Sequence, residues 1–209
     1  MDTQRASLAS FTTPQDTAVL VVDVQPMFTN QALIPPVEEV LPRLRRFLDG
    51  ARTAGVLRVF IRAVIPEARW TEPWRQQFSP AMQAANAPGS PLNAYHADFE
   101  PEPGDLMLVK DRFSAFMATE LETLLRERGI RTVIVVGLIT DTCVSSTARD
   151  AFQLDFLTVT LSDCTATGTL ARHEASLATI AAVFGRVCTS EEVLAAWQAQ
   201  PALAAAQAS

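Results

Sequence analysis

Six short apolar runs recur along the chain with helix-forming stretches between them. The runs are AVLVVDV (18–24), LRVFIRAV (57–64), DLMLVK (105–110), TVIVVG (132–137), FLTVTLSD (156–163) and the shorter FGRVCT (184–189). They are continuous rather than alternating apolar and polar, which is the pattern of parallel strands covered on both faces. The stretches between them include PVEEVLPRLRRFLDGARTAG, ATELETLLRERG, DTCVSSTARDAFQL and ARHEASLATIAAVFG. In the second, Thr119 and Glu122 have the spacing of a capping box and Gly129 suits the C′ position. A last stretch, SEEVLAAWQAQPALAAAQA, predicts a C-terminal helix broken near Pro201. Such alternation predicts a doubly wound α/β sheet with right-handed crossovers and helices on both faces.

No internal repeat or linker divides the 209 residues, which are enough for one sizeable core, so a single domain spanning 1–209 is expected. One segment departs from the rhythm. Residues 65–104 hold more than half of the thirteen prolines together with Trp70, Trp74, Phe78, Tyr95, His96 and Phe99. A long Pro- and aromatic-rich insertion inside a compact domain suggests a lid or partner surface; a plain surface loop with packed aromatics is the alternative.

Composition narrows the function. A net charge of −6 excludes the basic face that a nucleic-acid surface needs. No apolar run is long enough to span a membrane, and the N-terminus lacks the apolar core of a secretory signal, so a cytoplasmic protein is expected. Three cysteines at 143, 164 and 188 show neither zinc spacing nor a disulfide framework and are expected to be reduced thiols. His96 and His173 are expected on exposed positions, in the insertion and on a helix surface.

In an open α/β sheet, ligands bind beyond the carboxyl ends of the strands. Those ends carry Asp23 with Gln25, Arg62, Lys110, the stretch from Gly137 to Cys143, and Asp163. Asp23 and Lys110 each end a strongly apolar run, where a charge is costly unless solvated or paired. A structural ion pair would explain both; an acid, a cation and the thiol of Cys143 on one sheet edge would also make a nucleophilic site. Thr140, Asp141 and Thr142 are suited to cap the helix that follows. A thiol in its first turn would feel the positive end of the helix dipole and Lys110, which predicts a lowered pKa for Cys143. Backbone N–H groups of the same turn would be placed to hold an oxyanion. A buried, inert cysteine is the competing explanation, and it suffices for Cys164 and Cys188.

VLVVDVQPMF (19–28), VKDRFSAF (109–116), GLITDTCVSSTARDAF (137–152) and LSDCTAT (161–167) together resemble the isochorismatase-like hydrolases, or cysteine hydrolases, over about residues 16 to 195. The resemblance implies a six-stranded, Rossmann-like three-layer sandwich and a triad of Asp23, Lys110 and Cys143. It implies a non-proline cis peptide at Leu138–Ile139, with the N–H groups of Ile139 and Cys143 as the oxyanion hole. Nicotinamidase-like members carry a metal-binding Asp-x-His element after the second strand; this chain reads FIRAVIPEARW there, without histidine, so no metal and no other cofactor is expected. Isochorismatases proper replace the cysteine, so Cys143 favours hydrolysis of a small amide, carbamoyl or ureido C–N bond through a thioester, with ammonia released. Vinyl-ether cleavage with Asp23 as the acid and a non-catalytic scaffold are the alternatives. Gln25, Phe28, Arg62, Trp70, Trp74 and Phe116 are the expected lining of the substrate pocket, with Arg62 as a carboxylate partner and the two tryptophans on one face of a short helix. The partners expected are a small-molecule substrate and further copies of the chain in a homodimer or larger assembly.

Overall fold

The computed structural model describes residues 7–199. The strands are β1 (Thr17–Val22), β2 (Leu57–Ala63), β3 (Leu106–Lys110), β4 (Thr132–Leu138), β5 (Leu157–Ala166) and β6 (Arg186–Cys188). They form one sheet of order β3-β2-β1-β4-β5-β6 in which every pairing is parallel. The helices, in chain order, are α1 (Leu8–Phe11), α2 (Pro26–Thr29), α3 (Val37–Thr53), α4 (Glu72–Gln77), α5 (Pro80–Asn86), α6 (Leu121–Glu127), α7 (Ser145–Gln153), α8 (Leu170–Thr179) and α9 (Ser190–Gln198).

The period-two alternation of a strand explains why these runs are apolar throughout. On β1, Ala18, Leu20 and Val22 face Leu121 and Leu125 of α6 and Ala148 and Ala151 of α7. Val19 and Val21 face Leu44, Phe47 and Leu48 of α3 and Trp197 of α9 on the opposite side. Every residue of β1 and of β4 is buried. The result is a three-layer α/β sandwich. Among the described residues, no helix is long and apolar enough to cross a membrane.

Local details differ from expectation in two places. Thr119 and Glu122 do not form a capping box: the Thr119 hydroxyl accepts from the Leu121 N–H at 3.3 Å, while Glu122 is taken by Arg126 one turn along. Gly129 does take the left-handed conformation that closes α6, with φ of 68°. The fourth helical stretch is split, since α8 ends at Thr179 and continues as a π-helical turn, Ile180–Phe184. The predicted helix break near Pro201 and the end of the apolar tail lie outside the described residues.

The chain reverses its winding between β1 and β4, which pair side by side at the centre of the sheet. Their carboxyl ends open the crevice in which open α/β folds place ligands. Gly137 makes that junction possible. Its φ is 109°, and a Cβ there would stand 2.0 Å from the carbonyl oxygen of Val22 on the neighbouring strand. We expect Gly137→Ala to destabilise the fold by about 3 kcal/mol or more, from left-handed strain plus overpacking against backbone. Denaturant unfolding followed by circular dichroism measures this; an unchanged midpoint would mean that the junction tolerates a side chain.

Candidate active site

Asp23 follows β1 directly, with φ of 53°. A residue other than glycine in that region is held there at a cost of roughly 1–3 kcal/mol by its surroundings. Here the Asp23 N–H donates to Ile61 O, and its carbonyl accepts from the Gln25 N–H, both at 2.9 Å. The turn aims the carboxylate inward, where it is fully buried. Lys110, the last residue of β3, is 2% exposed and reaches across the ends of the strands. Its Nζ lies 2.7 Å from Asp23 Oδ2 and donates to Cys143 Sγ at 3.4 Å and to the Arg112 carbonyl at 3.0 Å. Two acceptors and one counter-ion thus surround the ammonium. Neither Asp23 oxygen receives a well-aligned hydrogen bond despite the close ammonium, so the carboxylate keeps accepting capacity free.

Cys143 does not lie in the first turn of an α-helix. Thr140–Val144 form a π-helical turn, and α7 starts only at Ser145. Two N–H groups, from Thr142 and Val144, converge on the Ile139 carbonyl at 3.1 and 3.2 Å. The peptide bond before that residue, Leu138–Ile139, is cis. Thr140, Asp141 and Thr142 do not cap the helix by side-chain hydrogen bonds. Two of them reach sideways instead: the Thr140 hydroxyl meets His173 Nδ1 at 3.0 Å, and Asp141 accepts from Thr167 and, at 2.6 Å, from Arg172 Nε.

Burial overturns the expected pKa of the thiol. Burial pushes Cys143 up to about 12; Lys110 opposes this, and Asp23 adds to it. Desolvation outweighs the neighbouring cation because the thiol is only 4% exposed. Burial also raises the Asp23 carboxyl above its usual range, against the pull of Lys110. Burial works against the charge of Lys110, but Asp23 and Cys143 more than compensate, and its pKa is raised. The thiol is therefore neutral at rest, and a carboxyl group more basic than usual lies within its reach, 2.7 Å from the Lys110 ammonium.

A cavity of about 410 Å³ opens above the thiol, and Cys143 and Lys110 form part of its wall. Of the residues expected to line it, Phe28, Trp70 and Trp74 do so, while Gln25, Arg62 and Phe116 do not. Gln25 is buried with its amide committed to backbone: Oε1 accepts from Ala63 N–H at 2.8 Å, and Nε2 donates to Asn93 O at 2.7 Å and Ala63 O at 3.2 Å. It ties the insertion to β2. Arg62 faces away because Ala63, its neighbour on the strand, takes the cavity side; the guanidinium lies 5.3 Å from the Tyr95 ring. Phe116 packs into the core against Phe156, with ring centroids 5.7 Å apart. Asp163 is also remote in role, since its carboxylate accepts from Ser190 N–H and hydroxyl at 2.8 and 2.6 Å at the start of α9.

The tryptophans do not share a helix. Trp70 closes a short 3-10 turn, Glu67–Arg69, and Trp74 lies in α4. They still touch, with centroids 6.1 Å apart, and Trp74 contacts Phe78 and Phe113 at 5.3 and 5.0 Å. This aromatic group draws the insertion over the end of β3. Phe78 follows Trp74 at helical spacing, and Arg112 and Phe113 come two and three residues after Lys110, so strand-end and periodicity arguments would have found them. Arg172 had no such signal, because only the folding of α8 onto the π-turn brings it to the cavity wall. His173 is not on the surface: it is 6% exposed, and burial lowers its pKa, keeping the ring neutral against Thr140.

A profile of the isochorismatase domain matches residues 17–192. Ureidoacrylate amidohydrolase RutB of Enterobacter sp. (strain 638) is 31% identical, over 84% of this chain and 86% of that protein. The enzyme of the same name from Variovorax paradoxus (strain S110) is also 31% identical, over 85% and 79% of the two chains. Among solved structures, a cysteine hydrolase from Pseudomonas syringae pv. phaseolicola 1448A superposes with a TM-score of 0.80 at 26% identity, covering 88% of this chain and 93% of the other. An isochorismatase family protein from Desulfovibrio vulgaris superposes with a TM-score of 0.75 at 28% identity, covering 87% and 99%. A match to the isochorismatase domain over residues 17–192, together with relatives 31% identical over most of the chain, leads to one conclusion: the protein belongs to the isochorismatase family.

Proposed function

We propose that the protein is an amidohydrolase that uses Cys143 to cleave a small carbamoyl, ureido or amide C–N bond, with release of ammonia. The observation that carries this reading is the Lys110 ammonium shared between Asp23 Oδ2 at 2.7 Å and Cys143 Sγ at 3.4 Å at the base of the cavity. The similarity to ureidoacrylate amidohydrolases supports the ureido class in particular.

The chemistry follows from the electrostatics. A thiol pushed up to about 12 supplies almost no thiolate at neutral pH, so the nucleophile has to be made as it reacts. Asp23 is the base within reach, and the burial that raises its pKa also makes it a better proton acceptor. As the Cys143 proton passes to Asp23, Sγ bonds to the substrate carbonyl carbon, and Lys110 stabilises the negative charge developing on sulfur. The Ile139 and Cys143 N–H groups receive the oxyanion. Asp23 then returns the proton to the departing nitrogen, the C–N bond breaks and ammonia leaves a thioester or thiocarbamate on Cys143. Water, deprotonated by Asp23, attacks that carbonyl and the thiol is regenerated. A carbamoyl substrate yields a carbamate in this step, which loses carbon dioxide to give the free amine. The insertion over 65–104 acts in this reading as a lid, and the functional unit is a homodimer or larger assembly.

Two results are expected. Cys143→Ala and Asp23→Asn should each lower ammonia release from ureidoacrylate, N-carbamoyl amino acids or biuret by roughly a thousandfold or more while the fold persists. Activity that survives in Cys143→Ala but is lost in Asp23→Asn would instead indicate acid chemistry at the carboxylate. Second, because the resting thiol is neutral, alkylation of Cys143 by iodoacetamide should be slow at pH 7 and accelerate up to about pH 12. Peptide mass spectrometry separates this site from Cys164 and Cys188; a rate already at its plateau by pH 7 would mean a preformed thiolate and remove the need for Asp23 as base.

A further inference from the structure

The cavity above Cys143 has two chemically distinct zones, and only its floor is needed for the proton transfers. Its floor carries the thiol and ammonium. Its upper wall is aromatic and aliphatic, built chiefly from Trp70, Trp74, Phe78, Phe113, Ile65 and Met82. At about 410 Å³ it falls within the roughly 300–1,000 Å³ range of pockets that enclose drug-sized ligands. A carbamoyl or ureido head alone has no use for such a wall.

The mouth is cationic in a chain whose net charge is −6. Asp111 is bound by Arg69, whose Nη2 donates to Oδ1 at 3.1 Å, and Arg172 is bound to Asp141. Lys110 has Asp23. Arg112 is the cation in excess: its Nη1 is 3.5 Å from Asp111 Oδ1, but that carboxylate is already engaged by Arg69. Its guanidinium lies 4.8 Å from the Trp74 ring centre, while Nη1 donates to the Asp111 carbonyl at 2.6 Å and Nη2 to the Arg69 carbonyl at 3.4 Å. These contacts hold a planar, permanently charged group at the cavity wall, the geometry suited to a carboxylate.

We propose that the substrate of this site carries, besides the scissile carbamoyl or amide group, an apolar body of aromatic size and a carboxylate, the body packed on the Trp74–Phe78–Phe113 wall and the carboxylate received by Arg112. The inference rests on the amidohydrolase reading for the head group but not for the body or the anion. Arg112 is thereby a specificity-determining residue, and Trp74 supports it from beneath.

Binding and turnover separate the two claims. Racemic N-carbamoylphenylalanine, its amide and N-carbamoylglycine are titrated calorimetrically into Cys143→Ala, and ammonia release is followed with the unmodified protein. Burying the phenyl group should make the phenylalanine compound bind at least about tenfold more tightly than the glycine compound. Adding Arg112→Gln should weaken the acid by roughly tenfold or more and leave the amide unchanged. Tighter binding with ammonia released supports both claims. Tighter binding without ammonia supports the cavity assignment and overturns the amidohydrolase reading. Binding of the phenylalanine compound no better than that of glycine, including no binding by either, overturns the assignment whatever the ammonia assay gives. An Arg112→Gln effect equal for acid and amide removes the carboxylate role.

Discussion

The site depends on one ammonium that is almost wholly buried at the floor of the cavity. Lys110 ends β3 with its side chain 1% exposed, and its three partners come from three separate places in the chain: Asp23 after β1, Arg112 after β3 and Cys143 after β4. Burying a single charge costs several kcal/mol, and breaking a buried pair typically costs about 3–5 kcal/mol because the remaining ion is left uncompensated. The three strand ends are therefore held together by electrostatic need as well as by the sheet ladder. Every other feature of the crevice is arranged around that cation: the left-handed turn at Asp23, the close approach at Gly137 and the π-turn that offers the thiol.

The same burial changes how the chemistry has to run. In water, a cysteine beside a lysine would be expected to ionise more readily. Here desolvation outweighs the Coulomb attraction, and both the thiol and the carboxyl move upward. A thiol raised this far holds its proton until a base takes it, which suits proton transfer concerted with attack better than a standing thiolate would. A neutral resting thiol is also less open to oxidation than a thiolate.

The insertion joins the core through specific contacts. Gln25 clamps Asn93 to the end of β2, the His96 N–H donates to the Val24 carbonyl at 2.9 Å, Phe99 packs into the core, and the aromatic group around Trp74 leans on Phe113. One strand end therefore supplies both the ammonium of the floor and, three residues on, the aromatic contact that seats the roof. The chemical floor and the shape of the cavity are coupled through the segment Lys110–Phe113.

Much of this was legible before any coordinates. Continuous apolar runs require strands covered on both faces, so the α/β class and the positions of all six strands followed from the residues. The rule that ligands sit beyond the carboxyl ends placed Asp23, Lys110 and Cys143 at one sheet edge, together with Gln25, Arg62 and Asp163, which the fold puts to other uses. The sequence by itself thus determined the strands, their parallel pairing and a short set of polar groups at one sheet edge. Only the tertiary structure decided their state and their surroundings. Desolvation depends on the whole enclosing shell, so the sign of the Cys143 shift could not be read from a helix dipole and one lysine. Side-chain direction depends on strand register and on competing backbone acceptors, which turned Arg62 toward Tyr95, spent Gln25 on a clamp and sank Phe116 into the core. Arg172 reaches the cavity wall, and His173 is buried against Thr140, because α8 folds back onto the π-turn, a contact between segments about thirty residues apart that no local pattern encodes.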